Sequence, residues 1–238
     1  MKKIGIGYED YKEFIDSNMY YIDKTLLIRD VVEKGGEVTL FTRPRRFGKT
    51  LALSMLRTFF EKEYDSEGNI IDKRRYFEGK KIMNAPEEIL SMMGRYPVIK
   101  LSLKSAKQPD FDTAFKKLRE EIIGEFRRHD YLKDSKQLSV DEKQELISLT
   151  QAADDRELKT KADFQKEVGR YATALKLLSV SLKKYHGENV IILLDEYDVP
   201  LENAYYKGFY QEMVDFIRSL FESCLKTNDA LEFAVVTG

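Results

Sequence analysis

Four short apolar runs, each ending in or followed by polar residues, dominate the hydrophobic pattern of the chain. They cover residues 37–41, 96–103, 190–194 and 231–238. The third run consists entirely of large aliphatic residues, which is typical of a central parallel strand buried on both faces. Longer stretches with helical periodicity separate the runs. This alternation predicts an α/β fold in three layers, with a mainly parallel sheet flanked by helices.

Amphipathic helices are predicted between the runs, wherever apolar residues recur at spacings of three and four. Asp23 is a candidate N-cap for the first helix, which is expected to stop at Gly35-Gly36. Further helices are predicted at 51–60, 111–126, 164–182 and 213–224. The apolar face of the last helix includes Cys224, the only cysteine of the chain. We therefore predict that Cys224 is a buried packing residue and not a reactive thiol.

Two segments interrupt this pattern. Residues 62–96 show no sustained period and contain the turn-forming sequence D-S-E-G-N, so they predict a turn-rich insertion. Residues 127–160 are rich in charged and amide side chains, and a capping box from Ser139 to Glu142 predicts a short helix within them. This second segment is either a lid or partner surface or a solvated excursion with no role of its own.

The loop between the first strand and its helix has the sequence T-R-P-R-R-F-G-K-T over residues 42–50. Gly48 allows the backbone to approach a phosphate, Lys49 can reach the β- and γ-phosphate oxygens, and Thr50 offers a hydroxyl to Mg²⁺. The following helix directs its N-terminal amides at the anion. The loop therefore predicts a site for ATP with Mg²⁺. The residues predicted to contact the nucleotide are Arg43, Pro44, Arg45, Arg46, Phe47, Gly48, Lys49, Thr50 and Leu51.

The match to the usual G-x-x-x-x-G-K-[ST] pattern is imperfect, because Arg43 stands where the first glycine would fall. One interpretation of Arg43, Arg45 and Arg46 is that they attract the triphosphate or a partner's phosphate groups. The alternative is that they pair with carboxylates such as Asp198. A basic strand-to-helix turn with no ligand is the corresponding alternative for the whole loop.

Two carboxylates, Asp195 and Glu196, follow the buried third run. Parallel strands end at the same edge of a sheet, so this pair is expected close to the phosphate-binding loop. Asp195 is then the candidate magnesium partner, and Glu196 is the candidate base that polarises water against the γ-phosphate. The alternative is that both residues simply begin a solvated loop.

Thr237 ends the fourth apolar run, directly before Gly238. A polar side chain at the end of a strand beside the acidic one can contact the attacking water or the γ-phosphate. Thr237 is therefore a third candidate catalytic residue, together with Glu196 and Lys49. The alternative is an ordinary threonine at the end of a strand, in a turn with the following glycine.

Together these blocks, with Y-Y-I-D-K-T at residues 20–25, resemble the AAA-ATPase-like family of bacterial and archaeal proteins. The resemblance extends over nearly the whole chain, and the family has an arginine at position 43. It implies a single P-loop ATPase domain over residues 1–238. It also implies that full-length members often carry a C-terminal restriction-endonuclease-like nuclease domain. Because P-loop ATPases with a catalytic glutamate usually have five or more strands, we expect the native protein to continue past Gly238. We also expect its acidic strand not to neighbour the first strand.

The composition of the chain disfavours several classes of function. The chain carries 40 basic and 41 acidic side chains, so its net charge of −1 does not favour a nucleic-acid binder, although local basic patches remain. No apolar run approaches the roughly 20 residues that span a bilayer, and the first residues contain no signal-peptide core. We therefore expect a cytoplasmic protein with no membrane partner. With only His129 and His186, a histidine-based metal site is not indicated.

These observations predict Mg²⁺-dependent ATP binding and ATP hydrolysis, with the nucleotide state changing the conformation of a larger protein. Two alternatives remain: a nucleotide-binding regulatory module with negligible turnover, and a small-molecule kinase. The adjacent Asp195 and Glu196 argue against the kinase, because a kinase must keep activated water away from the γ-phosphate.

Overall fold

A parallel sheet of four strands organises the part of the chain that the computed structural model describes, which is residues 5, 7–44, 47–151 and 160–238. The strands are β1 (Val38–Phe41), β2 (Val98–Ser102), β3 (Val190–Asp195) and β4 (Leu231–Thr237). Their order across the sheet is β1-β4-β3-β2, and every neighbouring pair is parallel. All four predicted strands are confirmed. So is the expectation that the acidic strand, β3, does not neighbour β1.

The α-helices cover both faces of this sheet. They are α1 (Tyr11–Asp16), α2 (Leu26–Lys34), α3 (Lys49–Phe60), α4 (Glu87–Leu90), α5 (Phe111–Arg128), α6 (Val140–Thr150), α7 (Lys161–Ala172), α8 (Ala174–His186), α9 (Asp198–Lys207) and α10 (Tyr210–Phe221). A π-helical segment, Glu222–Lys226, follows α10 and contains the buried Cys224. Burial raises the pKa of the Cys224 thiol to about 12, so a packing role fits this residue. Among the described residues, no helix is long and apolar enough to cross a membrane.

Alternation along the strands divides the core into two layers. Ile192 and Leu194 face the layer that contains α5, α7, α8 and α10. Ile191 and Leu193 face the opposite layer, with α2 and α3. Every residue of β3 is buried, as its aliphatic run predicts, whereas β1 lies at the edge of the sheet and is only partly covered. The predicted three-layer α/β fold is therefore confirmed.

Two helix predictions need correction. The helix predicted at 164–182 is two helices, α7 and α8, which meet at Thr173; the apolar spacing continues across this break and so conceals it. The first long helix begins at Leu26, because the Asp23 carboxylate accepts hydrogen bonds from the Thr25 amide and from the Lys81 amide of a distant segment. Asp23 therefore does not act as the N-cap.

The two irregular segments largely match their predictions. Residues 62–96 contain α4 and two short 3-10 helices, Arg74–Tyr76 and Lys81–Asn84. The capping box at Ser139 and Glu142 is present and starts α6. The remainder of the second segment, residues 152–159, lies outside the described residues.

Candidate functional site

The predicted phosphate-binding loop connects the end of β1 to the start of α3. Gly48 precedes α3 with φ 76° and ψ 32°, a left-handed conformation that glycine adopts without the steric cost of a Cβ. The first amides of a helix have no intrahelical acceptor, so α3 presents free donors on this side. The loop is thus a strand-to-helix turn of the kind that binds anions. Arg45 and Arg46 lie outside the described residues.

Lys49, the first residue of α3, joins the loop to β4. Its Nζ donates to the Arg43 carbonyl at 2.6 Å and to the Gly238 carbonyl at 3.0 Å. The ammonium group is therefore held among backbone oxygens between the loop and the end of the neighbouring strand. A phosphate group is a stronger acceptor for an ammonium than a neutral carbonyl, because the hydrogen bond is charge-assisted on both sides.

Asp195 and Thr237 form a buried polar pair at the carboxyl ends of β3 and β4. The Asp195 side chain is almost completely buried and Thr237 is fully buried. The Thr237 hydroxyl donates to the Asp195 carboxylate, which also keeps this buried acid hydrogen-bonded. The two strands are neighbours in the sheet, so their last residues meet without any help from the loops.

Glu196 follows β3 directly and has φ 54°, which is uncommon for a residue other than glycine. The next amide, from Tyr197, donates to the Thr237 carbonyl at 3.0 Å, so the turn is fixed to the end of β4. The Glu196 side chain is half-buried and has no hydrogen bond or ion pair to any other described residue. Left-handed backbone at a functional position is a recognised form of local strain.

The other residues predicted around the loop lie on its surface or at the helix start. Pro44 and Phe47 are exposed, whereas Thr50 and Leu51, in the first turn of α3, are half-buried. The Arg43 guanidinium lies over the Phe41 ring, 5.3 Å from its centroid, and donates to the Thr42 carbonyl. It forms no ion pair with a carboxylate of the described residues, so the alternative interpretation, in which one or two of the loop arginines pair with carboxylates such as Asp198, does not hold for Arg43.

Two features of the site were missed from the sequence. A Cβ at Gly238 would lie 2.5 Å from the Tyr197 ring, so this glycine permits close contact between the end of β4 and the turn after Glu196. Lys24 Nζ donates to the Phe47 carbonyl at 3.2 Å, which brings a second lysine to the loop. The available signal for Lys24 was its place in the Y-Y-I-D-K-T block, directly after the candidate N-cap Asp23.

The side-chain oxygens at this edge of the sheet are of the chemical type that binds a magnesium ion. Within the described ranges, no group of three or more His, Cys, Asp or Glu side chains is arranged to hold a metal. Mg²⁺ does not require such a group, because it usually binds through one or two protein oxygens together with water and substrate phosphates. The Thr50 hydroxyl and the Asp195 carboxylate are the candidates for these protein oxygens.

A second polar cluster lies at the opposite edge of the sheet, beside the first residues of β2. Arg128 donates to the carboxylates of Glu61 and Glu125 and to the Val98 carbonyl. Although burial alone would raise the pKa of Glu125, the Arg128 guanidinium holds this pKa at about 2. The cluster thus consists of carboxylates and guanidinium groups that neutralise each other.

Both histidines of the chain lie beside this cluster. The Tyr131 hydroxyl lies 3.0 Å from Nδ1 of His129 and 2.9 Å from Nε2 of His186. Burial, reinforced by the nearby charge of Lys62, lowers the pKa of His186 to about 4. The two imidazoles are therefore linked through a tyrosine.

Comparison with known proteins gives the following relationships. A model of the AAA-ATPase-like family, described as a predicted AAA-ATPase, matches residues 5–238. An uncharacterized protein encoded in the 5′ region of vnfD in Azotobacter chroococcum mcd 1 is 28% identical over 240 residues; the alignment covers 100% of this chain and 37% of that protein. No solved structure matches. The family match extends over both the phosphate-binding loop and the acidic strand, and it supports nucleotide binding in general: the chain belongs to the AAA-ATPase-like family.

Proposed function

We propose that the site at the carboxyl edge of the sheet binds ATP with Mg²⁺ and hydrolyses the ATP. The observation that carries this proposal is the convergence of three strand ends. Lys49 is hydrogen-bonded both to the loop that follows β1 and to Gly238, which follows β4. Thr237, at the end of β4, is hydrogen-bonded to Asp195 at the end of β3. Glu196 is the next residue after Asp195. Membership of a family described as predicted AAA-ATPases supports the nucleotide part.

Each residue has a distinct role in this proposal. Lys49 exchanges its carbonyl partners for oxygens of the β- and γ-phosphates, and the free amides of α3 bind the same anion. Thr50 and Asp195 supply oxygens to Mg²⁺, which when bound neutralises charge on the phosphates. Arg43 and Phe47 lie at the mouth of this site, where Arg43 can turn from the Phe41 ring towards a phosphate.

Glu196 is the proposed general base. It is half-buried, and no other described residue occupies its carboxylate. A free carboxylate beside the phosphate site can accept a proton from water and orient that water for attack. Thr237 holds Asp195 through its hydroxyl and contacts the water or the γ-phosphate in the same region. This arrangement favours hydrolysis over transfer to another substrate, because activated water competes with any other acceptor.

The proposal extends to coupling with other parts of a longer protein. The chain spans 37% of the length of the relative from Azotobacter chroococcum mcd 1. The turn after β3 leads directly into α9, and the last residue after β4 contacts Lys49. We infer that nucleotide binding and hydrolysis shift these elements and thereby change the conformation of attached domains.

Calorimetry with ATP and Mg²⁺ tests the binding step. Lys49→Ala removes the charge that faces the polyphosphate and should weaken ATP binding at least about tenfold, or about 1.4 kcal/mol. Lys34→Ala is the matched control, because Lys34 is exposed and pairs only with Asp30 on its own helix. Equal affinity of the wild type and Lys49→Ala would contradict the proposed site. Phosphate release by the wild type separates an ATPase from a nucleotide-binding regulatory module.

A further inference from the structure

Lys24 is an exposed lysine whose ammonium group lies against the phosphate-binding loop. Its Nζ is 3.2 Å from the Phe47 carbonyl and 3.8 Å from the position that a Cβ on Gly48 would take. No carboxylate among the described residues pairs with it. A fixed lysine side chain gives up rotamer freedom, and one hydrogen bond to a neutral carbonyl offsets that loss only weakly.

The backbone around Lys24 is fixed by its neighbours in the Y-Y-I-D-K-T block. The Asp23 carboxylate accepts from the Thr25 amide at 2.9 Å, from the Thr25 hydroxyl at 2.6 Å and from the Lys81 amide at 2.8 Å. Thr25 is fully buried, and its hydroxyl accepts from the Ile82 amide. The residues on both sides of Lys24 are therefore tied to the segment at 81–82.

Tyr21 attaches the same block to α3. Its hydroxyl donates to the Met55 sulfur at 3.2 Å, and its ring packs on the core that contains this helix. The Lys24 amide lies 3.4 Å from the Tyr21 hydroxyl. The backbone of Lys24 is thus held in place relative to α3, the helix whose first residue is Lys49. Most side chains of the block serve this attachment, whereas the Lys24 side chain projects towards the loop.

We propose that Lys24 is a second phosphate-binding lysine, which acts together with Lys49 on the nucleotide. This inference rests on the proposed function of the loop. Lys49 approaches the loop from α3, and Lys24 approaches it from the segment before α2, so the two ammonium groups come from different elements. Two cations and a helix N-terminus at one loop produce a strong local positive potential for a polyphosphate. The nucleotide's phosphate oxygens replace the Phe47 carbonyl as acceptors for Lys24.

The test compares Lys24→Ala, Lys24→Arg and Lys80→Ala in calorimetry with Mg²⁺-ATP and with inorganic pyrophosphate. Lys80 is the matched control, because its ammonium lies 5.7 Å from the centroid of the Tyr21 ring yet forms no hydrogen bond with a described residue of the loop. We expect Lys24→Ala to weaken binding of both ligands about tenfold. Lys24→Arg should retain most of the affinity, because it keeps the charge, and Lys80→Ala should bind as the wild type does. Thermal unfolding of each variant verifies that the fold is intact.

Salt dependence separates a phosphate ligand from a residue that only holds the loop. If Lys24 binds phosphate, the affinity of Lys24→Ala for pyrophosphate should fall less steeply with added salt than that of the wild type. An unchanged salt dependence, or wild-type affinity of Lys24→Ala for both ligands, would overturn the inference. If Lys49→Ala still weakens ATP binding at least about tenfold in that case, the proposed function stands. A wild type that binds neither ligand would overturn both.

Discussion

Charged side chains lie at both ends of the parallel sheet, but their partners differ. Beside the amino end of β2, Arg128 is bonded to Glu61 and Glu125, and Glu61 also accepts from Arg57. At the carboxyl end, the Glu196 carboxylate has no partner in the described part of the chain, and Lys24 and Lys49 are bonded only to backbone carbonyls. Charges at the amino end satisfy each other, whereas those at the carboxyl end remain available to a ligand.

This difference separates stability from function. A buried charge that loses its partner is strongly destabilising, so the amino-end cluster is expected to contribute to folding. A charge that faces only carbonyls or solvent contributes little to folding and can be recruited by a ligand. Substitutions at the two ends should therefore change different measured quantities, and each prediction below uses one of them.

The largest effect is expected for Arg128→Met. The substitution leaves the buried Glu125 without a guanidinium partner and Glu61 with Arg57 alone, so the free energy of unfolding in urea should fall by about 3–5 kcal/mol. Affinity for ATP should stay at the wild-type value. Arg95→Met is the control, because Arg95 pairs with Glu188 at the surface and should cost at most about 1 kcal/mol. Similar losses in both variants would remove the contrast between the cluster and a surface ion pair.

A second prediction concerns the loss of folding stability at acid pH. The pKa of His186 is about 4 in the folded protein, below the value of about 6.5 for an unperturbed histidine. Between these values the unfolded state binds a proton that the folded state does not, so stability is lost as the pH falls from about 6.5 to about 4. The loss attributable to His186 amounts to about 3 kcal/mol, at about 1.4 kcal/mol for each pKa unit. Unfolding titrations at several pH values should show a shallower acid dependence for His186→Gln than for the wild type.

At the carboxyl end, Glu196→Gln should lower ATP hydrolysis about 100-fold or more, which corresponds to about 2.7 kcal/mol in the activation barrier. ATP binding and the free energy of unfolding should be retained, because this carboxylate has no hydrogen-bond or ion-pair partner among the described residues to lose. Asp195→Asn should instead weaken the Mg²⁺-dependent binding. The matched control is Glu212→Gln on the first turn of α10. A measurable wild-type turnover that is unchanged in Glu196→Gln would show that another residue activates the water.

The smallest effect is expected for Thr237→Val. This substitution tests a residue with a proposed role in both stability and ATP hydrolysis. The substitution removes the hydroxyl that donates to the buried Asp195, so unfolding free energy should fall by about 1–3 kcal/mol. Hydrolysis should fall as well if Thr237 also serves the reaction. Thr237→Ser restores the hydroxyl and should recover both quantities. Loss of stability alone would leave Thr237 with a structural role.

Much of the sheet and the core of the candidate site could be predicted from sequence. The aliphatic run at 190–194 specifies a strand buried on both faces, and parallel strands necessarily bring Asp195 and Thr237 to one edge. The G-K-T turn is similarly local, because its chemistry depends on consecutive residues. The predictions of the buried strand and of the shared edge succeeded because period and adjacency are written directly in the chain.

Other features depend on contacts between distant segments, and the sequence pattern does not encode them. The Lys81 amide draws the Asp23 carboxylate away from a capping role, and this contact also directs Lys24 to the loop. Arg128 and Glu61 are 67 positions apart in the chain, and only the fold places them together. In the same way, only the packing of Gly238 on Tyr197 explains why a residue without a side chain follows Thr237.

The position of β4 between β1 and β3 has a consequence for folding during synthesis. Lys49 and the Gly238 carbonyl that it contacts are separated by 189 positions in the chain. Among the described strands β1 pairs with β4 alone, so within this part of the chain its backbone has no neighbouring strand until residues 231–237 have left the ribosome. Contacts of such long range form slowly, because a large loop must close first. The turn between β1 and α3 is thus made early in translation but gains β4 as its supporting strand only after the other three described strands have been synthesised.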